Sequence, residues 1–221
     1  MIEGQLLLIE KHNLGNMVAW LLEHNQSQSA PYHNLSHCMD VMYLAQHAYC
    51  YEQERPYEKA VCIAALFHDV NHSMGFYADD KYNTDIATEC LHRYLNQSCS
   101  IRKHNDEENR QYSIAIQLIG ALQWPHKPLP EGQENDYTIA VNCLRDADLF
   151  QYMTTTMAST IGIKNEFFKH WKWDYFLDRQ LEFLEDIQYH SEWGKGQATL
   201  KRNETIRHLQ QLKKLCYGHD H

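Results

Sequence analysis

The sequence lacks the patterns that would predict strands or membrane spans. No stretch alternates apolar and polar residues between turn residues, as half-buried strands do. No run approaches the ~18 apolar residues of a membrane-spanning helix, and the first residues lack the basic and apolar segments of a secretory signal. With 221 residues the chain has the length of one domain. We therefore expect a single all-α domain over residues 1–221, no membrane partner and a cytoplasmic location.

Cysteine pairs and long basic runs are missing as well. The seven cysteines are widely scattered, odd in number and include no C-x-x-C pair, which argues against a disulfide framework and fits reduced cytosolic thiols. The net charge is −9 with neutral histidine, and the lysines and arginines form no long run. We therefore expect no nucleic-acid duplex as a partner. An anionic substrate would need positive charge from another source, such as bound metal ions.

What the sequence does contain is a concentration of histidines in two short stretches, of which residues 64–75 form the sharper one. An apolar helical run there ends abruptly in His68-Asp69. Burying an unpaired, ionised aspartate costs several kcal/mol, so this pair at the end of a core helix requires a cation or dense hydrogen bonding. His72 follows His68 by four residues and would lie on the same side if the helix continued.

The other stretch, residues 31–41, carries His33 and His37. Their spacing of four places both side chains on one face of a helix, although such a pair also occurs by coincidence on protein surfaces. Asp40 follows His37 by three residues and could orient its imidazole through the second ring nitrogen. Together with His68-Asp69, this pattern predicts a metal site.

Further candidates lie later in the chain. Helical spacing places Asp148 on the apolar face of Leu144 and leaves Asp146 offset, so we take Asp148 as a ligand and Asp146 as the alternative. His126 lies in a proline-flanked loop and could approach a phosphate, whereas an ordinary surface loop is the other interpretation. The dense aromatic residues between Phe167 and Phe176 are typical of a core.

The order of these residues resembles the HD superfamily of metal-dependent phosphohydrolases. Within it, the sequence is most similar to the cyclic-nucleotide phosphodiesterases. The residues that carry the resemblance are Tyr32-His33-Asn34 with His37 and Asp40-Val41, then His68-Asp69-Val70-Asn71-His72 with Gly75, and finally Asp148. The resemblance implies a compact helical fold, with its motif core at about residues 31–148.

The same resemblance implies a role for individual residues. The metal ligands that it implies are His37, His68, Asp69 and Asp148. His33 and Asp69 would be catalytic, with His33 as the general acid, while His72 would position the waters of a second ion and Glu89 would polarise one of them. A solvated Glu89 is the alternative. Gln180 and Phe183 are similar to the glutamine and phenylalanine that hold the nucleobase in that family.

This set of side chains also predicts the chemistry. Imidazoles and carboxylates suit Zn, Mn, Fe or Co at one site, and a shared carboxylate could bridge to a second, more hydrated Mg or Mn. A divalent ion acidifies a bound water and neutralises charge on phosphoryl oxygens. We therefore expect a metal-dependent phosphohydrolase acting on a small nucleotide-like phosphoester, with 3′,5′-cyclic-nucleotide cleavage as the leading subtype. The alternatives are an HD-type nucleotidase or (d)NTP phosphohydrolase, and a non-catalytic metal or nucleotide sensor.

Overall fold

A computed structural model of the protein describes residues 2–51, 54–73, 79–101, 103–124, 126, 129 and 135–217. Within these ranges the chain forms ten α-helices and one short 3₁₀ helix, and no strand. The all-α prediction is therefore confirmed. The α-helices are α1 (Ile2–Lys11), α2 (Gly15–His24), α3 (Leu35–Tyr49), α4 (Glu58–Phe67), α5 (Lys81–Ile101), α6 (Asp106–Gly120), α7 (Asp136–Thr154), α8 (Thr156–Phe167), α9 (Trp173–Asp186) and α10 (Glu192–Tyr217), and the 3₁₀ helix is Gln26–Ser29.

Helix α4 occupies the centre of the fold. Every side chain from Ala60 to Phe67 is fully buried, as expected for a helix that is apolar on all faces. Helix α3 packs against both α4 and α7, α6 covers another side of α4, and α10 packs on α7 and α9. The first histidine stretch, the end of α4 and the aspartates of α7 therefore meet around one core. In the described part of the chain, no helix has the length and hydropathy needed to cross a membrane.

Side-chain caps fix the starts of two helices that lie next to the site. The Asn34 side chain accepts hydrogen bonds from the amides of Ser36 (2.9 Å) and His37 (3.2 Å), so α3 begins at Leu35. Ser191 caps α10 by accepting from the Gly194 amide at 2.9 Å, and the helix begins at Glu192.

A tight turn follows α4 and orients the second histidine stretch. The Val70 amide donates to the Phe67 carbonyl (3.0 Å) and the His72 amide to the Asp69 carbonyl (3.2 Å). Asn71 has a φ of 57°, a left-handed conformation that asparagine tolerates better than most residues. Its backbone amide donates to Asn25 Oδ1 at 3.1 Å. This turn holds Asp69 and His72 on the same side of the core. Gly75 lies outside the described residues.

Candidate metal centre

Four side chains from α3, from the turn that directly follows α4 and from α7 converge at one point. His37, His68, Asp69 and Asp148 each offer one ligand atom, and these atoms all lie within 4.8 Å of one another. We refer to them as the four-residue centre. Asp69 Oδ2 lies 3.1 Å from Nε2 of both His37 and His68, and Asp148 Oδ1 lies 3.2 Å from His37 Nε2 and 3.7 Å from His68 Nε2. The two carboxylates are therefore each shared between the two imidazoles.

Three buried nitrogen atoms of His37 and His68 make no hydrogen bond of good geometry. His68 Nδ1 lies 2.7 Å from the Ala65 carbonyl, and because a carbonyl only accepts, Nδ1 carries the hydrogen. His68 Nε2 then faces the carboxylates, and it makes no hydrogen bond of good geometry. Neither nitrogen of His37 makes one either. Buried polar atoms left in this state are costly and point to a missing partner, so the four-residue centre fits a bound cation.

The pKa shifts show how strongly this centre demands positive charge. Burial acts to lower the pKa of His37, but the Asp148 and Asp69 carboxylates outweigh it and raise the pKa to about 10. The same balance of burial against Asp69 and Asp148 raises the pKa of His68 well above its usual value. Against the opposing effect of burial, the imidazoles hold the pKa of both carboxyls well below its usual range. The two carboxylates therefore need either an additional proton on each histidine or a cation between them.

The donor set limits the kind of ion but does not select one. Two imidazole nitrogens and two carboxylate oxygens are borderline ligands that suit Zn, Mn, Fe and Co. The buried groups could hold such an ion. His37 and His68 are almost fully buried, whereas the Asp148 side chain is 35% exposed. The centre is therefore open to solvent on the Asp148 side.

A second group of titratable side chains lies next to the first. It consists of His33, His72 and Glu166. His33 Nδ1 lies 2.5 Å from Glu166 Oε1, and His72 Nδ1 lies 3.7 Å from the same oxygen. The two imidazoles stack with centroids 4.0 Å apart and planes 17° from parallel. In-plane lone pairs of nearly parallel rings do not converge on one ion at a ligand distance of about 2 Å, so this arrangement favours holding a proton over holding a metal.

Glu166 is the residue of this region that the sequence reasoning missed. Its fully buried carboxylate accepts from the backbone amides of Tyr32 (2.9 Å) and His33 (3.1 Å) through Oε2, while Oε1 accepts from the His33 ring. Because a carboxylate only accepts, His33 Nδ1 carries a hydrogen, and Nε2 is the nitrogen 3.9 Å from Asp69 Oδ2. Glu166 therefore fixes the His33 ring with its other edge toward the four-residue centre.

A sequence signal for Glu166 does exist in Gly162, one helical turn earlier. A Cβ at Gly162 would lie 2.6 Å from the Pro31 carbonyl oxygen, so α8 approaches the chain before α3 more closely than any side chain allows. A glycine inside a helical pattern often marks such a close approach. Residues four apart share a helix face, and Glu166 therefore reaches the same segment.

Two carboxylates that were candidates for other roles have partners elsewhere. Asp146, the alternative ligand, is fully buried and accepts from the amide (2.7 Å) and hydroxyl (2.6 Å) of Ser191. It anchors the start of α10, whereas Asp148 lies in the four-residue centre. Asp40 accepts from Gln5 Nε2 at 2.7 Å and from Gln151 Nε2 at 3.4 Å. The expectation that Asp40 orients His37 is wrong, because His37 Nδ1 makes no hydrogen bond.

The remaining candidates belong to neither group of titratable side chains. His126 lies within electrostatic reach of Asp148, and burial followed by the nearby Arg145 charge lowers its pKa to about 4. Its ring is 4.8 Å from Trp124, which in turn is 6.4 Å from Phe183. Gln180 is buried on α9. Glu89 is exposed and belongs to neither group, because α5 turns Ala87, Cys90 and Leu91 toward the core instead.

Comparison with known proteins gives no independent assignment, since no family model matches the chain and no curated protein matches it significantly. The helical fold and the four-residue centre are compatible with an HD-type metal site.

The neighbouring aspartates of α7 provide a matched pair of variants. Asp148→Asn is expected to lose most bound metal, because it removes one of two charges from the four-residue centre, while its helical content stays unchanged. Asp146→Asn is expected to keep metal but to lose about 1–3 kcal/mol of stability, because an amide group would then face the Ser191 donors. Elemental analysis and urea unfolding measure the two effects. Equal metal content in the two variants would contradict the ligand assignment.

Metal binding is expected to release protons and to tighten as the pH rises. We expect the metal-free protein to hold an extra proton on both His37 and His68 at neutral pH, because the carboxylates raise the pKa of His37 to about 10 and that of His68 well above its usual value. An ion displaces them, so Zn²⁺ or Mn²⁺ binding should release about two protons per ion. Titration calorimetry in buffers of different ionisation enthalpy counts these protons, and a value near zero would mean that the ion binds elsewhere.

Proposed function

We propose that the protein is a metal-dependent phosphohydrolase that cleaves a phosphoester of a small nucleotide-like substrate. The observation that carries this proposal is the pairing of His33 with buried Glu166, which leaves Nε2 of His33 3.9 Å from Asp69 at the edge of the four-residue centre. A structural metal site needs no such imidazole. A hydrolase does, because its leaving oxygen must receive a proton from a positioned acid.

The residues of the chain would divide the work of hydrolysis. His37, His68, Asp69 and Asp148 would hold a divalent ion, and such an ion supplies positive charge to phosphoryl oxygens and lowers the pKa of water. His33 would stand beside the leaving oxygen, held in one orientation by Glu166.

The reaction consumes one water molecule. The water oxygen forms a bond to phosphorus, the P–O bond to the alcohol breaks, and His33 donates its Nε2 proton to the leaving oxygen. Solvent, which reaches the centre on the Asp148 side, would take up the proton that the water loses and return a proton to the imidazole. The acid is thereby restored for the next turnover.

His72 would support this arrangement rather than act on the substrate. Burial and the neighbouring His33 lower its pKa to about 4, so it is neutral at neutral pH and can stack on the His33 ring at 4.0 Å without adding charge. For a second, more hydrated Mg²⁺ or Mn²⁺, Asp69 remains the candidate ligand. Glu89 is not, since it is exposed on α5.

The proposal includes a subtype that the resemblance favours, cleavage of 3′,5′-cyclic nucleotides. The aromatic rings of Trp124, His126 and Phe183, which lie 4.8 and 6.4 Å apart in a row with His126 in electrostatic reach of Asp148, would contact the base of such a substrate. The test is a hydrolysis assay of the metal-loaded protein against cyclic AMP and GMP and a panel of nucleoside mono-, di- and triphosphates. Release of phosphate or triphosphate alone would indicate a nucleotidase, and inertness toward every phosphoester would refute the enzyme assignment.

The role of His33 predicts a dependence on the leaving group. His33→Ala should lower kcat by about 10²–10⁴-fold for a diester with an alkoxide leaving group. It should affect bis(p-nitrophenyl) phosphate far less, because p-nitrophenolate leaves without being protonated, and metal content should stay at the wild-type level. His47→Ala, on an exposed part of α3, is the matched control. An equal loss on both substrates, or loss of metal, would show that His33 is not the acid.

A further inference from the structure

The segment that joins α8 to α9 exposes an unusual number of aromatic side chains. Within residues 168–175, which we call the aromatic strip, Trp171 is 36%, Trp173 37% and Tyr175 51% exposed. The expectation that the aromatic residues from Phe167 to Phe176 form core is therefore only partly correct, since Phe176 is fully buried. The Trp171 and Tyr175 rings lie 4.9 Å apart, and contiguous exposed apolar groups are typical of interaction sites.

The aromatic strip also carries local positive charge in an acidic protein. Lys169, His170 and Lys172 are all exposed, and Asp174 is the one carboxylate among residues 168–175. The chain as a whole has a net charge of −9. Cations that alternate with aromatic residues along the chain suit a ligand that combines negative charge with flat apolar surfaces. Two lysines fall short of the clusters of about four to eight basic residues that recruit proteins to anionic membranes.

The strip is continuous with the site proposed above. The Phe167 ring lies 5.2 Å from His33 and 5.8 Å from His72. On its other side Phe167 lies 6.0 Å from Phe168, and Phe168 lies 4.3 Å from Trp171. An unbroken row of rings therefore runs from the candidate acid to the exposed tryptophan.

We propose that the aromatic strip binds single-stranded nucleic acid and leads one of its phosphoesters toward His33. The bases stack on Trp171, Trp173 and Tyr175, and Lys169 and Lys172 contact the phosphates. A duplex does not fit this chemistry, because its bases are already stacked inside. The orientation of the strand rests on the proposed hydrolase function, whereas the binding of the strand by residues 168–175 does not.

Stacking and phosphate contacts can be measured separately by titrating the metal-free full chain with oligodeoxythymidylates of two to ten nucleotides and following tryptophan fluorescence. Affinity should rise with length and should fall with salt, with a slope of log K against log salt concentration of about −1.4 for two phosphate contacts on a single strand. A 12-base-pair duplex should bind more weakly than the decamer.

Variants identify the residues that are responsible. Trp171→Ala and Trp173→Ala should each weaken decamer binding about tenfold or more, and Lys169→Glu with Lys172→Glu should weaken it and remove most of the salt dependence. The matched controls are Tyr51→Ala, which removes another exposed ring, and Lys103→Glu with Lys214→Glu, which reverses two other exposed charges. These controls should bind as the wild type does.

The outcomes separate this proposal from the hydrolase proposal. All strip variants should still hydrolyse bis(p-nitrophenyl) phosphate at the wild-type rate if the centre is active, and strand binding in a protein without activity would leave the strip proposal intact. Failure of the decamer to bind, or equal binding by strip variants and controls, would overturn it. So would binding of the strip to anionic phospholipid vesicles or to a second copy of the chain in the absence of any oligonucleotide binding.

Discussion

The structure depends on how the negative charges at the end of α4 are balanced. Two carboxylates, Asp69 and Asp148, lie among the imidazoles of His37 and His68 at the junction of three core helices, where burial makes uncompensated charge expensive. Only positive charge placed between the two carboxylates compensates for their burial. Protons on the two histidines can supply it, and a divalent ion can supply it with ligands already assembled. A fold that needed only stability would be served better by apolar side chains at this junction.

The packing of the core helices sets the geometry around this centre. Helix α4 is apolar on every face and is enclosed by its neighbours, so its last turn cannot move to relieve the charges that follow. The Asn71 turn then returns the chain, and His72 stacks on His33. Gly162 allows α8 to contact the segment before α3. This contact places Glu166 beside His33. Packing therefore preorganises the polar groups before any ligand binds.

The sequence predicted those parts of the site that local patterns encode. His37 with His68-Asp69, and the choice of Asp148 over Asp146, followed from helical spacing, apolar faces and a motif, and the structure brings these four residues together. Glu166 lies 133 residues from His33 in the chain, and no local pattern relates two positions so far apart. Asp40 had suitable spacing, but Gln5 and Gln151 bond to it instead.

The charge distribution of the chain connects the centre with the strip. An overall charge of −9 repels phosphate-bearing ligands at long range, so any such ligand must be captured by local features. The four-residue centre carries no net charge, whether protons on its two histidines or a divalent ion balance its two carboxylates, so it does not attract anions at long range. The strip offers lysines and exposed aromatic rings that do not depend on an ion. Under the two proposals, the strip would hold a ligand that carries both bases and phosphates, and the centre would act only on the phosphoester that reaches Nε2 of His33. Selectivity would then come from which phosphoester can reach that nitrogen, rather than from overall electrostatic attraction.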